Sequence, residues 1–314
     1  MQLQIYNSLQ GANRWSNPAH GGAALVVKGL VLDREAKVLP PRLLPRRAIF
    51  FGDSITEGVN AECRNTPMTV AEWGGGVAGV PGDVPEPAGD LSANAATKTW
   101  GPTVAAALGA EYSQIGFGSL GWVVAGAGGV PAFYIPGKEA VNSWDKHYGG
   151  INTTARRSFD NLDYIFVGHA TNDGLREGSK ATASVTAAVE GWLGAARAAA
   201  GPQTAIFLCV PFGSFGAANE PKGSLQSGFD AYQAKSSDSR AYYIDLGREA
   251  AIGLECGSWE RGCIGAYGSA GGGPTLQGCD GIHPRGGTHA AARHGELGAQ
   301  LAVAAVLAMA NHTL

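Results

Sequence analysis

Five short apolar runs, each followed by a helix-like or loop-like stretch, limit the folds open to this chain of 314 residues. The runs are rich in Ile, Val, Phe and Tyr and end at Gly, Pro, Asp or His, which is typical of strands buried on both faces. They cover residues 47–51, 111–115, 164–168, 204–210 and 241–245. Helices are predicted between and after them, at residues 99–108, 181–200, 224–235 and 288–310. This alternation predicts a three-layer α/β/α sandwich around a parallel sheet of about five strands.

The first 45 residues do not follow this pattern. The stretch LVVKGLVLD, residues 25–33, is typical of a strand or a hairpin. The stretch LPPRLLP, residues 39–45, is a proline-rich connector that cannot lie inside a helix. We therefore predict a short N-terminal β element over residues 1–45 and one main domain over residues 46–314.

The charge balance argues against two classes of partner. The chain carries 23 Lys and Arg against 26 Asp and Glu, a formal net charge of −3, so it lacks the basic surface that nucleic acid or an anionic membrane requires. No apolar run reaches the length of about 18 residues that spans a bilayer. The opening residues MQLQIYNSLQ lack the basic and then apolar pattern of a signal peptide. We expect no nucleic-acid and no membrane partner, and the sequence leaves the oligomeric state open.

The five cysteines bear on the redox compartment. Cys209 lies inside the apolar run AIFLCV and is predicted to be a buried small hydrophobic residue. Cys256, Cys263 and Cys279 cluster in a stretch poor in regular structure. One disulfide there, joining the first to the second or the second to the third, would suit a secreted or periplasmic protein, while a cytoplasmic location stays open. A zinc site that adds His283 is not favoured, because the spacing fits no standard zinc motif.

The stretch AIFFGDSITEGVN, residues 48–60, places a serine where a helix would begin. The apolar run stops at Gly52, which permits a tight turn, and Ser54 follows two residues later. A helix N-terminus carries partial positive charge and free N–H groups, which suits a serine that attacks a carbonyl and leaves an oxyanion. The alternative is that Asp53 and Ser54 are only N-cap residues.

A nucleophilic serine needs a base, and His283 in GCDGIHPRGGTH is the best candidate. Asp280 lies three residues earlier on the same loop and can accept the Nδ1–H of the imidazole, which leaves Nε2 free as a base. On its own, an Asp-x-x-His pattern is more typical of a surface turn.

Two further stretches follow predicted strands. In IFVGHATNDG, Asn172 would bring a side-chain amide to the rim where the carboxyl ends of parallel strands meet, or it would simply lie in a turn. In YSQIGFGSLGW, residues 112–122, three glycines let the backbone approach a ligand, so an N–H group there could stabilise an oxyanion. The alternative is a loop that needs positive φ angles.

Taken together, these motifs resemble the SGNH hydrolase superfamily, the GDSL esterases and lipases, over residues 46–310. The matching blocks are Gly52-Asp53-Ser54-Ile55-Thr56-Glu57-Gly58, Thr171-Asn172-Asp173 and Asp280-x-x-His283-Pro284. The resemblance implies a flavodoxin-like α/β/α fold in which Ser54 is the nucleophile, His283 is the general base and acid, and Asp280 orients His283. It also implies an oxyanion hole made by the Ser54 N–H, an N–H of the second block and the Asn172 side chain, with no metal or organic cofactor.

Two positions depart from the family pattern. The second block resembles Asn-x-Gly-x-x-Gly, and its donor glycine falls on Ser119 here. Either Ser119 donates its backbone N–H, or the loop shifts and Gly118 donates. The glycine usually found two residues before the third-block Asn is Ala170.

The framing of the motifs narrows the resemblance to bacterial and fungal esterases of the acetylxylan-esterase type. This narrower resemblance rests on two stretches of sequence. They are GLVLDREAKVLPP before RRAIFFGDSITEG, and TWGPTVAAALGAEYSQIGFGSLGW. Such enzymes carry an N-terminal β-sandwich, of which residues 1–45 are long enough for the last strands only. The resemblance implies a serine esterase for short-chain acyl, chiefly acetyl, esters, with a small-molecule or carbohydrate ester as substrate.

Two other functions compete with this one. The first is a lipase, thioesterase or arylesterase of the same superfamily that acts on non-carbohydrate esters. The second is a carbohydrate-binding protein with an inactive site, which the intact Ser54, Asn172, Asp280 and His283 disfavour. Four aromatic residues near the motifs are expected either to form an acyl pocket or sugar platform, or to pack in the core. They are Trp100, Phe117, Trp122 and Phe212.

Overall fold

The computed structural model describes residues 43–58, 95–146, 157–177, 182–211, 222–246 and 290–311, with residues 29, 31–37 and 39. Most of the predicted N-terminal β element lies outside this part of the chain. The same holds for Asp280, His283 and the three clustered cysteines. Ser54, Ser119 and Asn172 all lie inside it.

Five strands in the described ranges form one parallel sheet. They are β1 (Arg46–Gly52), β2 (Ala110–Gly116), β3 (Tyr164–Gly168), β4 (Ala205–Cys209) and β5 (Ala241–Ile244). The order across the sheet is β2-β1-β3-β4-β5, the flavodoxin-like arrangement. Every neighbouring pair is parallel, so the predicted five-stranded parallel sheet is confirmed, with each strand end within one residue of its predicted place.

Helices connect and cover the strands. They are α1 (Ser54–Glu57), α2 (Trp100–Ala107), α3 (Thr171–Glu177), α4 (Thr182–Ala200), α5 (Lys222–Ser236) and α6 (Ala290–Asn311). The four predicted helices correspond to α2, α4, α5 and α6. The short α3 lies where a turn was the alternative. Asp173 in its first turn interacts favourably with the positive end of the helix dipole. No helix in the described ranges is both long enough and apolar enough to cross a membrane.

The sheet separates two apolar cores. Successive residues of a strand point to opposite faces, so Phe50 packs towards α2 and α6 while Phe51 packs towards α4. Both rings are fully buried, because each face of β1 is covered by helices. This explains why residues 48–51 of β1 are all apolar and do not alternate between apolar and polar residues. Cys209 lies in the first core, where burial raises the pKa of its thiol, so the predicted buried hydrophobic role is confirmed.

The register of three strands brings their loops to one place. Gly52 at the end of β1 pairs with Gly116 on β2 and with Gly168 on β3. The loops after these glycines therefore begin at the same level of the carboxyl edge of the sheet. In open α/β sheets, ligands bind at this edge, at the point where the chain direction across the sheet reverses.

Candidate active site

Ser54 is the first residue of α1, directly after the carboxyl end of β1. The capping role belongs to Asp53, whose Oδ1 accepts a hydrogen bond of 2.9 Å from the Ile55 N–H. Gly58 closes the helix in a left-handed conformation and donates its N–H to the Ser54 carbonyl at 3.0 Å. Within the described part of the chain, the Ser54 hydroxyl and N–H donate to no acceptor. Because Asp53 and not Ser54 caps the helix, the hydroxyl and the N–H of Ser54 remain available to a substrate.

The short helix α1 lies directly on the end of β2. A Cβ atom at Gly116 would collide with the backbone N of Glu57, so only glycine allows this approach. Glu57 is 5% exposed, and its Oε2 accepts a hydrogen bond of 2.6 Å from the Gly118 N–H. The helix that carries Ser54 is therefore tied to the loop after β2.

The loop after β2 forms a tight turn in which Leu120 donates its N–H to the Phe117 carbonyl at 3.1 Å. The Gly118 carbonyl accepts a hydrogen bond of 2.9 Å from Ala127, and the Gly118 N–H is taken by Glu57. Among the described residues, the Ser119 N–H has no acceptor. Of the two candidate donors, Gly118 is therefore already engaged in a hydrogen bond.

Both departures from the family's glycine pattern lie at positive φ. Ser119 has a φ of 63° and the fully buried Ala170 has a φ of 130°. A residue with a Cβ in the left-handed region costs roughly 1 kcal/mol relative to the right-handed one, which glycine avoids. The two positions thus keep the backbone conformation that suits glycine, although the side chains differ.

Asn172 lies in the first turn of α3, and its Nδ2 donates a hydrogen bond of 3.0 Å to the Leu120 carbonyl. A side-chain amide carries two N–H groups, so one fixes the orientation of the amide and the second remains for a ligand. The contact joins the third block to the loop of the second.

Asp173 accepts two further hydrogen bonds from the same loop. It is 1% exposed, and its carboxylate accepts hydrogen bonds from the N–H groups of Trp122 (2.8 Å) and Val123 (3.0 Å). Burial raises the pKa of this carboxyl, against the two N–H groups, which act to lower it. A Cβ at Gly121 would collide with the carboxylate, so the glycine there makes room for it. The sequence alone assigned no role to Asp173 or to Glu57, although both lie inside the blocks that match the family.

His169 is a core residue and not a candidate base. It is fully buried, with its ring 4.4 Å from the Phe133 ring and 6.1 Å from the Trp122 ring between centroids. Burial lowers its pKa to about 3, so the ring is neutral at ordinary pH. The predicted base, His283, and its partner Asp280 lie outside the described residues, and their roles remain predictions.

Of the two alternatives for Trp100 and Trp122, core packing is confirmed, and neither ring forms a sugar platform or an acyl pocket. Their exposed fractions are 1% and 0%. Each indole N–H is satisfied inside the protein, by the Thr56 hydroxyl at 3.2 Å and by the His169 carbonyl at 3.2 Å. These partners allow burial of the whole ring. Phe117 is half-buried, and Phe212 lies outside the described residues.

The flavodoxin-like sheet carries the Gly-Asp-Ser turn at its carboxyl edge, as the resemblance to SGNH hydrolases implies. The sequence matches the family described as GDSL-like lipase/acylhydrolase over residues 49–294, which is well over half of its length. The chain therefore belongs to this family, and it is a carboxylic ester hydrolase. No curated protein sequence matches it significantly.

Solved structures with the same fold include two carbohydrate esterases. One is a carbohydrate esterase family 2 enzyme with a carbohydrate-binding domain from Myceliophthora fergusii, with a TM-score of 0.53 and 20% identity. Another is a family 2 carbohydrate esterase from Clostridium thermocellum in complex with cellohexaose, with a TM-score of 0.55 and 17% identity. The match covers 88% and 85% of this chain but only 69% and 65% of theirs. At this identity the likeness shows the fold alone.

Proposed function

We propose that this protein is a serine esterase that removes short acyl groups, chiefly acetyl, from carbohydrate esters. The observation that carries the proposal is the shared level of Gly52, Gly116 and Gly168 at the carboxyl edge of the sheet. It supports the approach of a serine, a backbone donor loop and a side-chain amide around one carbonyl. A serine nucleophile with such donors is the arrangement that acyl transfer requires.

The proposed roles follow the family resemblance. Ser54 is the nucleophile, His283 the general base and acid, and Asp280 the residue that orients His283. The oxyanion hole consists of the N–H groups of Ser54 and Ser119 with the side chain of Asn172. The choice of Ser119 over Gly118 is supported by the hydrogen bond that holds the Gly118 N–H on Glu57.

In the reaction, His283 accepts the hydroxyl proton as Ser54 Oγ attacks the ester carbonyl. The tetrahedral oxyanion accepts hydrogen bonds from the three donors, and its collapse breaks the bond to the alcohol, which leaves with the proton held by His283. Water then attacks the acyl-enzyme by the same route, which releases the carboxylic acid and restores Ser54. Each oxyanion donor contributes about a hundredfold or more to kcat.

The proposed substrate class rests on similarity to known esterases. The sequence resembles esterases of the acetylxylan-esterase type, and two proteins with the same fold are described as carbohydrate esterases. A polysaccharide substrate does not enter cells, so the proposal also implies an exported enzyme.

The first test is a comparison of p-nitrophenyl acetate, butyrate and octanoate. We expect kcat/KM to fall by about tenfold or more from acetate to octanoate, because a pocket shaped for a methyl group rejects additional methylenes. Release of acetate from acetylated xylan is then measured, with Ser54→Ala as the blank. A preference for octanoate would favour the lipase-like alternative and would contradict the proposed substrate class.

A further inference from the structure

We propose that Glu57 is a positioning residue that sets the place of the second oxyanion donor relative to Ser54. The inference rests on the proposed function, because it concerns the same hole. Glu57 follows Ser54 by three residues in α1, is almost fully buried, and accepts the Gly118 N–H at 2.6 Å. One short helix thus carries both the nucleophile and the acceptor that holds the donor loop.

The backbone around Glu57 is itself fixed. Its N–H donates to the Asp53 carbonyl at 2.8 Å, which closes α1 around Ser54. Its backbone lies so close to Gly116 that a Cβ atom there would not fit. The Glu57 carboxylate therefore extends from a rigid point, and the loop it holds cannot move away from Ser54 unless this hydrogen bond breaks.

The same hydrogen bond directs the proposed donor. The Gly118 N–H is held by Glu57 and the Gly118 carbonyl by the Ala127 N–H at 2.9 Å, one on each side of the residue. The peptide bond to Ser119 is trans, so the Ser119 N–H points opposite to that carbonyl. The two contacts together fix the direction of the Ser119 N–H.

The bond is suited to this task because it is short, at 2.6 Å, and its acceptor oxygen is buried. A buried hydrogen bond has no water to replace either partner. Inside the protein, a substitution that removes the acceptor leaves the Gly118 N–H unsatisfied, and the turn must shift to find another partner. Any such shift moves Ser119 with it.

The expected effect falls on kcat. The oxyanion forms only in the transition state, so a misdirected donor weakens binding of the transition state and leaves substrate binding nearly unchanged. Glu57→Leu removes the acceptor at similar volume, and we expect kcat on p-nitrophenyl acetate to fall about 10- to 100-fold with KM within about threefold. Glu57→Gln keeps an oxygen acceptor and is expected to retain kcat within about fivefold.

A matched control separates positioning from stability. Asp238 is a second carboxylate in a hydrogen-bonded network, with Arg197 at 2.7 Å and the Tyr232 hydroxyl at 2.7 Å, and it lies just before β5 at the amino edge of the sheet. Asp238→Asn is expected to lower the unfolding temperature while kcat per folded molecule stays at the wild-type value. The folded fraction of each variant is measured by circular dichroism at the assay temperature.

The outcomes are distinct. A folded Glu57→Leu enzyme with kcat within twofold of wild type, or with a change in KM alone, overturns the inference. If Glu57→Leu does not fold, Glu57→Asp takes its place, because it keeps the carboxyl group but is one methylene too short. Wild-type kcat in that variant also overturns the inference. If wild type hydrolyses no acyl ester, or if Ser54→Ala stays active, it is the proposed function that fails.

Discussion

Replacing Ser54 with alanine is expected to lower kcat on p-nitrophenyl acetate by about 10⁴-fold or more. The variant has no oxygen to form the acyl-enzyme, so only binding and the remaining oxyanion donors accelerate attack by water. The thermal stability should change little, because Asp53 and not Ser54 caps α1. The measurement is steady-state kinetics of both enzymes with thermal unfolding beside it.

A second serine provides the control for this variant. Ser113 is exposed on β2, in the strand that precedes the donor loop, and no catalytic role is proposed for it. Ser113→Ala should retain full activity. Substantial turnover by Ser54→Ala, with the Ser113 variant unaffected, would contradict the mechanism.

Replacing Asn172 with alanine is expected to lower kcat about 10²- to 10³-fold, with a small change in KM, because the lost amide N–H binds charge that exists only in the transition state. The hydrogen bond to the Leu120 carbonyl is lost as well, at a cost of about 1 kcal/mol in stability. The measurement is the pair of kcat and KM for p-nitrophenyl acetate, corrected for the folded fraction.

Asn172→Asp tests whether the side chain at this position stabilises negative charge in the transition state. Its carboxylate has nearly the same size as the amide but repels the oxyanion and cannot donate to Leu120 when ionised. We expect its kcat to be no higher than that of Asn172→Ala at neutral pH. If either variant kept kcat and raised KM, Asn172 would be a substrate-binding residue and not an oxyanion donor.

The parts of the fold and site that depend on local sequence were predicted well. The central strands β1, β3 and β4 are buried along most of their length, so their runs are continuously apolar, and glycines end β1, β2 and β3 at one level. The position of Ser54 at a helix start is explained by Gly52 and Asp53 beside it. These features depend on neighbours within a few residues, which a pattern can show.

The roles that sequence reasoning missed depend on distant partners. Glu57 binds Gly118, which lies 61 residues further along the chain, and Asp173 binds Trp122 across 51 residues. No periodicity connects such positions, so only the sheet register reveals them. The choice between Gly118 and Ser119 stayed open in the sequence for the same reason, since the partner that engages Gly118 comes from another loop.

The choice between a platform and the core for Trp100 and Trp122 stayed open in the sequence for a related reason. Aromatic residues beside catalytic motifs are consistent with a binding platform or with a core, and the difference lies in whether the indole N–H has a buried acceptor. The acceptors are Thr56 and the His169 carbonyl, and the second one lies 47 residues away. Burial of both rings therefore depends on the assembled fold.

Covalent trapping would identify the nucleophile by its position in the chain. The protein is treated with a fluorophosphonate, which phosphonylates an activated serine, and the modified residue is located by mass spectrometry of peptides. We expect one phosphonyl group for each chain, on the peptide that contains Ser54, and none in Ser54→Ala. Modification of another residue, or none in a preparation that still hydrolyses p-nitrophenyl acetate, would contradict the assignment of Ser54 as the nucleophile.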